Sequence, residues 1–213
     1  MFSDYRRLAT PVIWLAFVAE SMTYLTLTAW LVVILEQAGV GARDATLTYS
    51  YSQLGAIVAT LALARLLDRF GPKASMVSAF MAVGAIVALG IAGLSPALLI
   101  VIAVFAVACA SATHQSLIGM VGGFYPTVIR SNGIGYATGM GRFGAMAGPV
   151  IAGYLLTRIP LHDVLFVIAA PDLVVAGACL ALHRIARADG AKPSPRWQLN
   201  GGAEAVRPAA PGE

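Results

Sequence analysis

Tyr125–Pro149 reads YPTVIRSNGIGYATGMGRFGAMAGP. An aromatic-proline stop opens it, Arg130 and Arg142 follow, and glycines run through it into an apolar segment ending at Gly148-Pro149. Gly141, Ala145, Gly148 and Ala152 recur at helical spacing on one face, so a neighbouring helix can approach closely there. Gly144 and Pro149 predict a kink, because proline removes a backbone donor and crowds the preceding turn. Arg142 stands about eleven residues into the segment, roughly 16 Å at 1.5 Å per residue. If the segment crosses a bilayer, that is near the midplane, where a charge costs about 2.5–3.5 kcal/mol on insertion scales. A water-filled cavity, a carboxylate partner or a bound anion would offset the cost.

Composition makes lipid the solvent. Of 213 residues, 59% are hydrophobic and 11% charged, and the mean hydropathy is +0.80; soluble domains carry about 25% charged residues. A helix crosses about 30 Å of hydrocarbon with roughly 20 apolar residues. The pattern therefore predicts an all-α, polytopic membrane protein. Cys109 and Cys179 lie in apolar runs without metal-ligand spacing and read as small packing residues. The formal charge of +4 is spread over loops and tail, which fits membrane topology and gives no reason to expect a nucleic-acid partner. Asp4 ahead of Arg6 and Arg7, a long apolar run and no small-residue cleavage site do not make a signal peptide.

Six apolar segments are expected: Pro11–Leu35, Thr46–Ala64, Ala74–Leu94, Ala97–Met120, Ser131–Thr157 and Leu161–His183. Gly39, Gly41, Gly71-Pro72, Ser95-Pro96, Tyr125-Pro126 and Pro160 punctuate them. Six spans put both termini on one side, together with Arg6, Arg7, Arg65, Arg69, Lys73, Arg130, Arg184, Arg187, Lys192, Arg196 and Arg207. Arg43 and Arg158 fall on the other. The positive-inside rule makes the first side cytoplasmic, in a plasma (inner) membrane. Residues 1–184 form the transmembrane domain. Residues 185–213, rich in Pro, Gly, Ala and charge, bury too little apolar surface to order themselves and read as a disordered cytoplasmic tail.

Several polar residues stand inside the apolar segments. Glu20, Thr23, Tyr24 and Thr28 make a polar side on the first. A carboxyl group out of water can load and release a proton, so Glu20 is a candidate proton carrier, or else a static partner for Arg142. Thr46, Tyr49, Gln53 and Thr60 stripe the second segment, and Ser111, Thr113, His114 and Gln115 the fourth. Such stripes line a substrate path or simply hold helices together. His114 titrates in the physiological range when unperturbed, yet a lone intramembrane histidine is commonly a packing residue. Arg130 reads either as a path residue or as a snorkelling anchor. Asp172, beside Pro171, reads as a protonated or locally capped group. The turn Ala64–Lys73, ARLLDRFGPK, places Asp68, Arg69 and Gly71 where an acid and a base can cap or pair helix ends and glycine supplies a permissive backbone. There is no Walker A, GxSxG, HExxH or Cys/His cluster, so neither an enzyme nor a cofactor is expected.

That turn resembles the cytoplasmic signature loop of the major facilitator superfamily, G-x-x-x-D-R-x-G-R/K-R/K, with Ala64 in place of its first glycine and Pro72 in place of a basic residue. The resemblance implies a gating latch at Asp68, Arg69 and Gly71. Tyr125, Pro126, Thr127, Arg130, Gly133, Gly139, Gly141, Arg142, Gly144, Gly148 and Pro149 resemble the aromatic acid:proton symporter branch, which includes 4-hydroxybenzoate and benzoate permeases. Trp14 and Trp30-Leu31 agree with that branch, whereas Val32 and Ser131-Asn132 depart from it. The resemblance implies the C-terminal half, helices seven to twelve, of a twelve-helix transporter that carries a small aromatic or organic acid with protons. Its last helix would then be peripheral. Arg142 would take the substrate carboxylate, and Glu20 the proton. The other half, or a second copy, would be the partner. The alternatives are a truncated or split product inactive alone, and a half-transporter for another small organic substrate.

Overall fold

The computed structural model describes residues 6–91, 93–125 and 127–188. Its six helices are α1 (Arg6–Gln37), α2 (Ala42–Phe70), α3 (Pro72–Ala88), α4 (Pro96–Phe124), α5 (Thr127–Leu156) and α6 (Leu161–Ala188). No strand occurs among the described residues. α1, α2, α4 and α6 each hold a stretch long and apolar enough to cross a membrane, while α3 is a shorter apolar helix. α5 carries Arg130 and Arg142 and runs unbroken through its glycines and Pro149. The count matches the sequence expectation, but the edges differ. α2 continues to Phe70, and α6 to Ala188, past the boundary expected at Arg184. The remainder of the expected tail, 189–213, lies outside the described residues, as does Pro126.

α3 ends at Ala88, short of the expected Leu94, for a local reason. Gly90 and Ile91 donate to Val87 O and Ala88 O, three residues back, so the helix tightens into turns, and Gly93 turns the chain at φ 83°. The α2–α3 junction is as tight. Gly71, at φ 63° and ψ −151°, ends α2 by donating to Leu67 O and begins α3 directly, with Pro72 in the first turn. Proline suits that position because its missing N–H would have no intrahelical partner. At the start of α4, Ser95 Oγ accepts from the Leu98 N–H, ahead of Pro96.

Contacts at the two ends fix how the helices run. At one end, the Thr10 hydroxyl near the start of α1 is 3.0 Å from the Tyr125 hydroxyl in the α4–α5 turn. At the other, Gly90 just beyond α3 lies against His162 at the start of α6, where an added Cβ would come within 3.0 Å of His162 Cα. α1 is central, packing most extensively on α5 and also on α6; α2 lies against α4, and α3 between α4 and α6. Leu54, Ile57, Val58 and Leu61 of α2 and Phe143, Met146 and Val150 of α5 stay on the outside, as expected where the surroundings are as apolar as the core.

Two apolar clusters fill the interior. One gathers Leu27, Leu31, Ile34, Ile86, Val107, Leu165 and Ile168; the other Ile13, Phe17, Ala79, Leu117, Val175, Cys179 and Leu182. Both cysteines are buried free thiols. Between the clusters lies a belt of buried polar groups that includes Glu20, Thr23, Ser78, Thr113 and Asp172. On the α3–α4 side this belt is bonded throughout. Thr113 Oγ1 is 2.9 Å from both Ser78 Oγ and Cys109 O, and Ser75 donates to Ser116 at 2.7 Å. Hydrogen bonds between helices of this kind hold membrane bundles together at about 0.6 kcal/mol each on average.

Candidate functional site

The glycines of α5 set the geometry. Gly141, Gly144 and Gly148 face α1: a Cβ on Gly141 would lie 2.7 Å from Ser21 Oγ, one on Gly144 would overlap the Val18 carbonyl oxygen, and one on Gly148 would overlap Thr26 Oγ1. A turn further on, Gly153 lies under the Trp30 ring, and Trp30 Nε1 donates to Pro149 O at 3.0 Å. α1 and α5 are thus closely packed between Phe17 and Trp30 of α1 and Gly141 and Gly153 of α5, with backbone approaching backbone at Gly144.

One residue on from Gly141, the helix turns about 100° and Arg142 leaves that interface. Arg142 is exposed. It is not buried within these six helices, and among the described residues no carboxylate is bridged to it. Instead, its guanidinium lies close enough for its charge to act on the His114 ring of α4. His114 in turn stacks on Tyr24 of α1, with ring centroids 5.2 Å apart and planes 22° from parallel. The Nδ1 of His114 has no hydrogen-bond partner among the described residues. Three helices, α1, α4 and α5, therefore bring together a cation, an imidazole and a phenol ring. Such a grouping can pair a carboxylate with the guanidinium and offer an aromatic surface to a ring.

The other expected site residues are more scattered. Gln53 is half-buried on α2 and Gln115 exposed on α4; the ring stack does not include them. Arg130 is half-buried and donates from Nε to Tyr125 O at 3.4 Å. Tyr125 is buried, and its ring occupies the place where a side chain at Gly133 would go. The motif around Tyr125 thus has a structural content: tyrosine, arginine and glycine lock the α4–α5 turn, and the tyrosine hydroxyl ties it to α1. Asp68 and Arg69 are both exposed at the end of α2, with the Arg69 guanidinium 5.4 Å from the centre of the Phe70 ring.

Glu20 points elsewhere. Its side chain is wholly buried at the α1–α6 interface, facing Asp172 of α6, which is wholly buried too. The two carboxyl groups are near enough to interact, but none of their four oxygens has a donor at hydrogen-bonding geometry. The sequence reading weighed Glu20 against Arg142 and took Asp172 by itself. The available signal was that each is the lone acid deep inside its own segment.

These features define a polytopic helical membrane protein whose cation-bearing face is open. The family model for the Major Facilitator Superfamily matches residues 11–211, and the chain belongs to that superfamily of membrane transporters, which are not enzymes. Its relatives include a gallate transporter of Pseudomonas putida, 31% identical over 184 residues (85% of this chain, 41% of that protein). A gentisate transporter of Corynebacterium glutamicum is 32% identical over 158 residues, 67% of this chain and 34% of that protein. The 4-hydroxybenzoate transporter PcaK of Pseudomonas aeruginosa is 25% identical over 192 residues, 89% and 43% of the two chains. The chain spans less than half the length of each of these relatives.

Proposed function

We propose that these six helices are the C-terminal half of a proton-coupled transporter for small aromatic acids, working in the inner membrane with both termini of the chain toward the cytoplasm. The observation that carries this reading is the exposed Arg142, whose charge reaches the His114 ring of the Tyr24–His114 stack. A guanidinium next to aromatic faces suits a benzoate-like anion, and its exposure leaves it open to a second wall. The names of the relatives support the substrate class, and their length supports a second six-helix unit as that wall. Transporters of this architecture bind substrate near the midplane, between two halves. Arg142 then takes the carboxylate, Tyr24 and His114 flank the ring, and Gln53 and Gln115 extend the polar lining. Asp68, Arg69 and Gly71 form the cytoplasmic latch, their position at a helix junction of the single residue Gly71 suiting a hinge.

The test is uptake of radiolabelled gallate and 4-hydroxybenzoate by cells expressing this chain alone, a matching N-terminal six-helix unit alone, or both. Uptake is expected only with both, and it should collapse when the proton gradient is dissipated. Equal failure with all three combinations, given verified membrane insertion, refutes the aromatic-acid reading. Uptake by this chain alone refutes the requirement for another half and favours a second copy as partner.

A further inference from the structure

We propose that Glu20 and Asp172 form a single proton-binding site that joins α1 to α6, apart from the Arg142 face. Both side chains are fully buried, and they face one another between the two apolar clusters, where the nearest neighbours along each helix are core residues such as Phe17, Ala19, Ala169 and Val175. Two ionised carboxylates facing each other in so dry a setting repel strongly, because little solvent screens them. One proton between them replaces that repulsion with a charge-assisted O–H···O bond, the strong class of hydrogen bond.

Among the described residues, nothing else packed around the pair replaces the proton; the charged groups of α2, which also packs on α1, are Arg43, Asp44, Arg65, Asp68 and Arg69, all exposed. On α1, Thr23 lies beside Asp172, but its hydroxyl donates to Ile168 O at 3.0 Å. A hydroxyl has one proton, so Thr23 is left to accept from a protonated acid rather than to solvate an anion. On α6, the Cys179 thiol is within electrostatic reach of Glu20 and brings no positive charge. α3, which packs on α6, has Lys73 as its one charged residue, exposed in the first turn. α5 meets this part of α1 through Gly141 and Gly144; its Arg142, Tyr136 and Tyr154 are exposed, and Arg130 is held at the α4–α5 turn. α4 contributes Cys109 and His114, the latter stacked on Tyr24. Loss of the shared proton would leave two anions pushing α1 away from α6. Tyr24 follows Glu20 by one helical turn, so that separation would displace a member of the aromatic stack. This gives the site a route to the open face whatever substrate binds there, and the proposal does not depend on the aromatic-acid reading.

The test is infrared spectroscopy of the full chain in lipid bilayers, following the carboxylic-acid C=O stretch in H2O and D2O across neutral to alkaline pH. Glu20→Gln, Asp172→Asn and the double variant are compared with the parent chain. A shared proton predicts one deuterium-sensitive band in the parent, disappearing at alkaline pH. In each single variant the remaining acid stays in the same dry setting and keeps one proton, so a shifted band of the parent's intensity should persist there and vanish only in the double variant. If each single variant keeps about half the band, the two acids are protonated separately and the proposal is overturned. If the parent shows no band, both groups are ionised or hold a cation, and the proposal is equally overturned. The parent measurement decides this even where a variant fails to fold.

Discussion

Replacing Gly144 with alanine adds one methyl group and tests the α1–α5 contact at its closest point. That methyl would overlap the Val18 carbonyl oxygen and lie 2.8 Å from the carbonyl carbon and 3.1 Å from the Met22 nitrogen. All three are backbone atoms of a helix, so no side chain can rotate out of the way. α5 must back off by an ångström or so to restore ordinary contact, and a gap of about 0.5–1 Å already forfeits a quarter to a half of each dispersion well. Gly141 and Gly148 lie on the same seam and would lose contacts with it. Overpacking of this kind costs about 1–3 kcal/mol, or roughly 5–150-fold in the folded-to-unfolded ratio. Gly139 provides the control. It is on the same helix, but nothing lies within 4 Å of an added Cβ, and alanine in a helix interior is favoured over glycine by about 0.5–1 kcal/mol. Gly144→Ala should therefore destabilise and Gly139→Ala should be neutral or stabilising, in reversible unfolding of the purified chain in mixed micelles. If the two variants unfold within about 0.5 kcal/mol of each other, close backbone packing of α5 on α1 is refuted.

Trp30→Phe removes the bond to Pro149 O together with the outer indole edge over Gly153, and should cost at least about 0.6 kcal/mol in the same unfolding assay. Gly71→Ala forces a side chain into φ 63°, ψ −151° and should cost about 1–3 kcal/mol, whereas Gly84→Ala, in open helical space, should not destabilise. Arg142→Gln, in an assembly that transports, should abolish aromatic-acid uptake while membrane insertion, followed by protease protection, stays unchanged. Unchanged uptake would remove Arg142 from substrate binding.

The number of helices was legible because each apolar run is bounded by a strong breaker, and part of the glycine seam was legible because Gly141 and Gly148 recur at helical spacing, although Gly144, read as part of a kink, makes the closest approach to α1. Helix edges were less so. α3 stops early because of the tightened turns at Gly90 and Ile91 and the close approach of His162, and the composition of 88–94 does not announce either. The environment of Arg142 could not be read at all. Hydropathy separates water from hydrocarbon, but lipid and a protein core are equally apolar, so the sequence could not say that Arg142 faces outward from its own bundle while Glu20 faces inward. Glu20 and Arg142 looked like partners because both lie deep in their segments, yet they sit on different faces of the bundle.

The polar belt explains why depth misled. Apolar clusters occupy the two ends of the bundle interior, and Ser78, Thr113, Glu20, Thr23 and Asp172 occupy the space between. On the α3–α4 side every hydroxyl named above is bonded across or back to a carbonyl, as a joint that stays closed requires. On the α1–α6 side the acids have no such partners. α1 is also the helix in backbone contact with α5 and the one that carries Tyr24. A movement of α1 relative to α6 would therefore take the glycine seam and one ring of the aromatic stack with it, while the bonded α3–α4 pair held its place. If Glu20 and Asp172 share a proton as proposed, α1–α6, bonded across the belt through Thr23 and Ile168 O alone among these groups, is the seam that loss of the proton would strain, and α3–α4 is the bonded frame beside it.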